Sequence, residues 1–455
     1  MSTAIIPMSQ DLGWDKAYQG VVLSAFFAGY ATTQILGGAL SDRYGGKAVL
    51  AGGVALWSLF TGLTPQAAAG GAAPLLAARV LLGVGEGVAF PAVHSIISRN
   101  VPTERQSTAV GVVTAASYVG TALAFGVSPT LISKLGWQAV FYLFGALALL
   151  WLPVWWPVRE TPPRPGSSAA KAAAAARAAD EEAQSLLSSG GPASPADGGA
   201  APGDAAAGKA LGRQTPLGAG ASASAAEGGS ASTIATLRLL LAQREVWAIC
   251  LCQYCQSYGM YGLLTWLPTF FSDYYGVEVG DLGGFTLLPY VVQGGVGAAS
   301  GALADKMIAS GWDVRRTRVL LQVVGMLGPA ACLLLAVSPG LGIGATSASA
   351  LITLGLGLSA LTLGGVSANH LDICPRHAGM VFGAGNTAAT LAGLVAVPLT
   401  GVLLDRTGSW VAVFSVVGVH YLAGSLVWAA WAGGKQLPQD LEAPAAPAGA
   451  GAGAP

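Results

Sequence analysis

Two oppositely charged residues, Arg79 and Glu86, lie seven positions apart in the otherwise uncharged segment 73–97. The segment is long enough to cross a bilayer, which takes about 20 residues. A charge at the centre of such a helix costs about 2.5–3.5 kcal/mol on insertion scales, and a spacing of seven places both side chains on one face. A guanidinium suits phosphate or carboxylate oxygens, and a carboxyl group can carry a proton or hold Na⁺. The pair therefore predicts a site for an anion and a coupling cation.

Further polar and aromatic side chains are placed to complete such a site. His94 continues the helix face of Glu86 and could relay protons, with ordinary packing as the alternative. In later apolar segments, Tyr258 and Tyr261 could form an aromatic wall or pack in the core, and Asn386 needs a buried partner. The predicted substrate contacts are Arg79, Tyr258, Tyr261 and Asn386, and the predicted ion-coupling residues are Glu86 and His94.

The composition predicts a helical membrane protein. The chain of 455 residues is 53% apolar and 10% charged, whereas a soluble domain carries about 25% charged residues. Its long apolar runs do not alternate, and helices alone satisfy their own backbone hydrogen bonds over such lengths in lipid. The net charge is zero, which gives no support for nucleic-acid binding, and five cysteines do not form a disulfide framework.

Five apolar segments precede a long break and six follow it. The predicted spans are residues 17–40, 48–68, 73–97, 107–132, 137–157, 245–271, 281–304, 318–337, 341–366, 379–404 and 410–431. The break is rich in Ala, Gly, Ser and Pro and buries too little apolar surface to fold. The predicted domains are therefore an N-terminal bundle (1–157), a disordered linker (158–236), a C-terminal bundle (237–434) and a disordered tail (435–455).

Lysine and arginine are concentrated in the loops on the linker's side of these spans. The positive-inside rule places the linker and the C-terminus on the cytosolic side of the membrane, or on the equivalent stromal side of a plastid membrane.

The two halves share an internal repeat. GGALSDRYGGK (37–47) corresponds to SGALADKMIASG (300–311), and LGWQAVF (135–141) corresponds to GSWVAVF (408–414). Two matches in the same order indicate a duplicated helical bundle. Aligning the halves places residues 1–7 at the end of a helix, so about 20 residues of a first span are expected to be missing from a six-plus-six architecture. The alternative is a natural protein of eleven spans.

The repeated loop resembles the loop signature of the major facilitator superfamily. The resemblance implies two six-helix bundles and a gating role for Gly38, Asp42, Arg43 and Asp305. The later loop SANHLDICPRH (367–377) is also predicted to act in gating, with Asp372 either pairing with Arg376 or capping the next helix.

A narrower resemblance, to the anion:cation symporter branch of that superfamily, covers nearly the whole chain. The segments that carry it are RVLLGVGEGVAFPAVHSIISRNVPTER (79–105), LGWQAVFYLFG (135–145), LLTWLPTFF (263–271) and SANHLDICPRHAGMVFGAGNTAATLAG (367–393). They are most similar to plant and algal plastid phosphate transporters, so the resemblance implies multi-pass anion transport driven by Na⁺, H⁺ or membrane potential. Gln256 departs from the pattern, because some members carry a cation there.

The leading hypothesis is a monomeric symporter of inorganic phosphate in a plastid envelope or thylakoid membrane, with no cofactor and no metal. An organic anion such as glutamate, ascorbate or a sugar acid is the second hypothesis, and a transport-dead receptor or scaffold is the third. An enzyme is the weakest alternative, because the sequence shows no metal-ligand cluster, nucleophile elbow or nucleotide loop.

Overall fold

The computed structural model describes residues 1–159, 236–374 and 378–437, and every regular element within these ranges is a helix. The first half contains α1 (Ile5–Leu12), α2 (Lys16–Tyr44), α3 (Gly46–Ala69), α4 (Ala72–Gly87), α5 (Ala89–Asn100), α6 (Thr103–Leu135) and α7 (Trp137–Trp155). The second half contains α8 (Arg244–Tyr275), α9 (Leu282–Ala309), α10 (Val314–Ala336), α11 (Ala345–Ser359), α12 (Val366–Ile373), α13 (Ala378–Thr407) and α14 (Trp410–Trp431). Short 3-10 turns precede α9 and α11 and link α11 to α12.

The described residues of 1–159 and 243–437 belong to one compact unit. Residues 236–241 are helical and belong to a second unit. Residues 160–235 and 438–455, which include most of the predicted linker and tail, lie outside the described residues.

The internal repeat is visible in the backbone. Gly136 precedes α7 with φ 81°, and Gly408 lies between α13 and α14 with φ 60°. Positive φ favours glycine because it has no Cβ, so each of these two loops, which correspond in the repeat, contains a glycine in such a conformation, one position apart in the alignment.

Nine of the eleven predicted spans are long and apolar enough to cross a membrane, as counted over the described residues. The other two, α2 and α8, form at the predicted places but are more polar than a lipid-facing span, so the prediction of eleven apolar spans was too generous. Their packing explains the difference. Helix α2 packs against α4 and α13, and α8 packs against α13 and α14, so both bury polar side chains between helices.

Close helix contact in the first half depends on glycine. A Cβ added to Gly83 of α4 would overlap the backbone carbonyl oxygen of Phe26 in α2. A Cβ added to Gly29 of α2 would overlap the carbonyl oxygen of Val80 in α4. The two helices therefore touch backbone to backbone, as in other membrane helix pairs with small residues at the contact.

The two halves meet along two helix pairs, α2 with α13 and α6 with α9. At the second pair, the rings of Phe125 and Tyr290 stack with centroids 4.8 Å apart. One end of the bundle carries the turns from α2 to α3 and from α9 to α10 and is called the basic-loop end. The other end, where α2 begins and α13 meets α14, is called the opposite end.

Candidate functional site

A cavity of about 460 Å³ lies between the halves, with walls from α2, α5, α8 and α13. Three of the predicted site residues, His94, Tyr261 and Asn386, lie on its wall. Its lining also includes Phe90 of α5 and Thr387 of α13, both on the parts of their helices that run toward the basic-loop end. The cavity therefore extends from the middle of the bundle toward that end.

A second cavity, of about 200 Å³, continues into the second half. Tyr261, Phe382 and Asn386 line both cavities, so two of the predicted substrate contacts stand at their junction. The second cavity has amide and hydroxyl groups on its wall, among them Gln256 and Gln293, and none of its lining residues is charged. This wall can hydrogen-bond a polar solute without neutralising a charge.

Gln256, the position where the family pattern is broken, is fixed by a hydrogen-bond chain. Its amide nitrogen donates to the Thr362 hydroxyl at 2.7 Å, and its oxygen accepts from the Gln322 amide at 3.3 Å. The Gln322 oxygen in turn accepts from the Val366 backbone nitrogen at 2.9 Å. Gln256 is thus held in place by partners that all lie in the second half.

Arg79 lies between α4 and α2 and is 7% exposed. Its Nε donates to the Val22 carbonyl oxygen at 3.4 Å, and its guanidinium carbon lies 5.7 Å from the centroid of the Phe26 ring. No acidic side chain among the described residues forms an ion pair with it within 4.0 Å. Arg79 is not among the residues that line the two cavities described above, so its predicted contact with an anion stays a prediction.

Glu86 is exposed, two helical turns from Arg79 and one turn from Phe90. Its carboxyl group is close enough to Arg79, Tyr30 and Tyr261 to interact with each of them electrostatically. Both tyrosines line the main cavity. The arrangement places an accessible carboxyl group next to the cavity wall, where a cation can change its charge.

Not all of the predicted residues are at this site. Tyr258 is 2% exposed and stacks on His420 with ring centroids 3.8 Å apart, so it packs within the second half. Tyr258 does not line either of the two cavities described above, and its contact with substrate stays a prediction. The His94 Nδ1 atom lies 2.8 Å from the Phe90 carbonyl oxygen, a local helix contact that leaves its other ring nitrogen on the exposed side.

The predicted gating residues lie at the basic-loop end. Gly38 has open space where a Cβ would be, the Arg43 guanidinium carbon lies 5.1 Å from the ring centroid of Tyr44, and Asp305 is exposed. The side chain of Asp42 and the whole of Arg376 lie outside the described residues.

Asp372 has a partner that the sequence did not suggest. Its two oxygens accept from Nε and Nη2 of Arg318 at 2.7 and 3.2 Å, and Arg318 also donates to the Gly364 carbonyl oxygen at 2.8 Å. The pair joins α10 to α12, with Arg318 buried. The sequence offered Arg376 or a helix cap as the partner of Asp372. Arg376 lies outside the described residues, and the bidentate contact with Arg318 is one that only tertiary packing brings together.

Sequence reasoning missed Gln34 and Tyr30, which line the main cavity from α2. The Gln34 oxygen accepts a hydrogen bond from the Asn386 amide at 2.9 Å, directly between the halves. A signal was available: α2 carries a glutamine and two threonines in succession within a predicted span.

The opposite end is held closed by contacts between the halves. Lys16 at the start of α2 forms an ion pair with Asp273 of α8 at 2.6 Å, and Asp405 of α13 caps the first turn of α2. Within the second half, the indole nitrogen of Trp266 in α8 donates to the Val397 carbonyl oxygen of α13 at 3.1 Å, which joins the two helices that carry Asp273 and Asp405. The bundle is thus sealed at one end while its cavity extends toward the other.

Comparison with known proteins agrees with this architecture. A profile of the Major Facilitator Superfamily matches residues 1–397. By fold, the chain is similar to a solved D-xylose-proton symporter, with a TM-score of 0.64 and 16% identity over 96% of each chain. At that identity the likeness shows the fold alone.

Curated relatives give a narrower placement. The chain is 33% identical to "Ascorbate transporter, chloroplastic" of Arabidopsis thaliana over 96% of this chain and 72% of that protein. It is 33% identical to "Sodium-dependent phosphate transport protein 1, chloroplastic" of the same plant over 96% of this chain and 76% of that protein. It is 34% identical to "Probable anion transporter 1, chloroplastic" of Oryza sativa subsp. japonica over 96% and 73%. The chain therefore belongs to the major facilitator superfamily and, within it, to the anion:cation symporters.

Proposed function

We propose that the protein is a secondary active anion transporter of a plastid membrane that works by alternating access. The observation that carries this proposal is a cavity between two helical bundles, lined in part by polar side chains, that extends toward one end and is sealed at the other, in a chain whose relatives are named as chloroplastic anion transporters. Rocking of the bundles around a central site is the way in which such folds move a solute.

Inorganic phosphate is the proposed substrate, coupled to Na⁺ or H⁺. One relative is named as a sodium-dependent phosphate transport protein. Arg79 supplies a buried donor fork suited to phosphate oxygens, and Glu86 is accessible for a cation to bind or protonate.

An organic anion is the second candidate, and the smaller cavity favours it. Amides and hydroxyls without any charged residue line this space, which suits the hydroxyl and carbonyl groups of a larger anion. Another relative is named as an ascorbate transporter.

The protein is proposed to act as a monomer, because both halves that wall the cavity come from one chain. The linker side is proposed to face the stroma or cytosol, in agreement with the excess of lysine and arginine in the loops at that end. A transport role rather than an enzymatic one agrees with the superfamily to which the chain belongs.

Uptake of labelled phosphate into proteoliposomes that contain the full chain tests this function, with an imposed Na⁺ or H⁺ gradient and with ascorbate and glutamate as competitors. Uptake that depends on either gradient is the expected result. Arg79→Ala and Glu86→Gln should each lower uptake at least tenfold, whereas Arg316→Ala and Glu278→Gln, at exposed positions, should leave it unchanged. Full activity in both of the first two variants would remove these residues from the mechanism. An absence of uptake of every anion would refute the transport function.

A further inference from the structure

Gln34 occupies the centre of the contact between the two halves. It lies on α2, lines the main cavity, and accepts the hydrogen bond from Asn386, a residue 352 positions away on α13. The Thr390 hydroxyl lies 3.4 Å from the same Gln34 oxygen and 3.0 Å from the Asn386 carbonyl oxygen, the shorter of its two possible contacts. The carbonyl end of the Gln34 side chain is therefore held by the second half.

This contact fixes which end of the carboxamide faces the cavity. A glutamine side chain has an oxygen acceptor and an NH₂ group with two donors. With the oxygen turned to Asn386, the NH₂ group is turned away from α13, and one of its hydrogens is within reach of the Tyr30 hydroxyl. The second hydrogen remains for a ligand in the cavity. On the anion-transport function proposed above, we infer that Gln34 binds the transported anion through this NH₂ group.

The position also gives Gln34 a part in coupling. Glu86 interacts electrostatically with Tyr30, which lies beside Gln34 in the lining of the cavity. A charged Glu86 opposes an anion at this place, and a Glu86 that is protonated or paired with Na⁺ does not. Cation binding therefore precedes or accompanies anion binding at Gln34. The cation acts by removing the repulsion between Glu86 and the anion, and it does not need to touch the anion.

The bond to Asn386 makes the site depend on the arrangement of the halves. The Gln34 NH₂ group points into the cavity while the bond between Gln34 of α2 and Asn386 of α13 is formed. When the halves move relative to each other, that bond breaks and the NH₂ group is free to turn. A ligand shifts an equilibrium between two conformations only by the difference in its affinity for them. Gln34 provides such a difference, because its orientation is set by a partner from the moving half.

The experiment is a comparison of uptake kinetics in proteoliposomes for the full chain with Gln34→Leu and Gln34→Glu. The matched control is Gln66→Leu, which changes an exposed glutamine of α3. Loss of one hydrogen bond to a charged ligand corresponds to about a ten- to hundredfold rise in KM for phosphate. The value of kcat should change less than threefold in Gln34→Leu, and Gln34→Glu should raise KM further, because it adds a negative charge.

Thermal unfolding of each purified variant shows whether it is folded, and Gln34→Met replaces Gln34→Leu if the latter is not. Phosphate should raise the midpoint of unfolding of the wild-type chain and of Gln66→Leu, and should not raise that of Gln34→Leu. If Gln34→Leu leaves the KM for phosphate unchanged, with or without a fall in kcat, Gln34 does not bind the anion. The transport function itself would not be affected by that result. A wild-type chain that takes up neither phosphate nor a competing organic anion refutes the transport function instead.

Discussion

The Asp405 carboxylate accepts a hydrogen bond from the backbone nitrogen of Lys16, at 2.9 Å, although 389 residues separate the two along the chain. The other carboxylate oxygen accepts from the backbone nitrogen of Ala17 at 2.6 Å. The first N–H groups of a helix have no partner within it. Asp15 caps α2 locally by accepting from the Tyr18 backbone nitrogen at 2.7 Å, and Asp405, from another helix, accepts from the two N–H groups that come before it. The last turns of α13 thereby hold the first turn of α2, and with it the seal at the opposite end.

Replacing Asp405 with alanine is expected to weaken this seal. Loss of a helix cap costs about 1 kcal/mol, which shifts a two-state equilibrium about fivefold. The variant should spend more time open at the opposite end. A Thr387→Cys reporter on the cavity wall should then react more slowly with a membrane-impermeant maleimide supplied from the basic-loop end. Glu278→Gln, an exposed carboxyl group at the same end as Asp405, is the control, and equal labelling rates in all three chains would contradict the role of Asp405.

Glu86→Gln should separate exchange from coupled uptake. A neutral amide can no longer change its charge with a cation, so phosphate should not accumulate against its gradient. The anion site itself should persist, because Gln34 and Arg79 are unaltered. Counterflow of labelled phosphate between equal concentrations should stay within about threefold of wild type. A variant that still accumulates phosphate with a Na⁺ or H⁺ gradient would show that another group carries the coupling ion.

Asp372→Ala should destabilise the second half strongly. It leaves the buried guanidinium of Arg318 without its bidentate partner, and an uncompensated buried charge costs about 3–5 kcal/mol. Thermal unfolding in detergent measures the loss. The double variant Arg318→Met with Asp372→Leu should recover most of the stability, since an apolar pair leaves no buried charge.

The ion pair of Lys16 and Asp273 is the matched comparison for that experiment. Both side chains are partly exposed, at 28% and 34%, and such pairs contribute about 1 kcal/mol or less. Lys16→Met should therefore change the free energy of unfolding much less than Asp372→Ala. A similar loss in both variants would mean that burial does not determine the strength of these ion pairs.

Gly83→Ala should impair folding strongly, although it adds only one methyl group. The added methyl group would meet the backbone of α2 at Phe26, and backbone cannot move aside as a side chain can. Overpacking of this kind costs about 1–3 kcal/mol. Gly52→Ala in α3, where a Cβ meets nothing within 4 Å, should be neutral or stabilising by up to about 1 kcal/mol. Yield and thermal stability in detergent compare the two, and equal behaviour would contradict the close contact between α2 and α4.

Much of the fold could be predicted from hydropathy and the repeat. Apolar length located the helices, because lipid allows little other spanning structure, and the shared Gly-Ala-Leu loops showed that the bundle is duplicated. The polar character of α2 and α8 was underestimated. Hydropathy measures how apolar a segment is but does not show what the segment packs against. Helices α2 and α8 pack against other helices, so they can carry polar residues on sides where a lipid-facing helix would need apolar ones.

The site was predicted less completely. Tyr261 and Asn386 were predicted because an intramembrane polar group needs a partner or a cavity, and both line the main cavity, while their contact with substrate stays a prediction. Tyr258 satisfied the same reasoning, but its ring stacks on His420, a partner that no sequence spacing indicates. Gln34 and the pairing of Arg318 with Asp372 depend on contacts between distant segments, which only the assembled bundle defines.

Helices α2 and α13 are joined at two heights, by Asp405 at one end and by Gln34 with Asn386 near the middle. Both contacts join the two halves in this conformation, and both must break when the opposite end opens. The mouth of the cavity, near His94 and Thr387, lies toward the other end of the bundle. An inhibitor bound across that mouth would keep α5 and α13 apart there and would thereby hold the contacts of Asp405 and Gln34 in place.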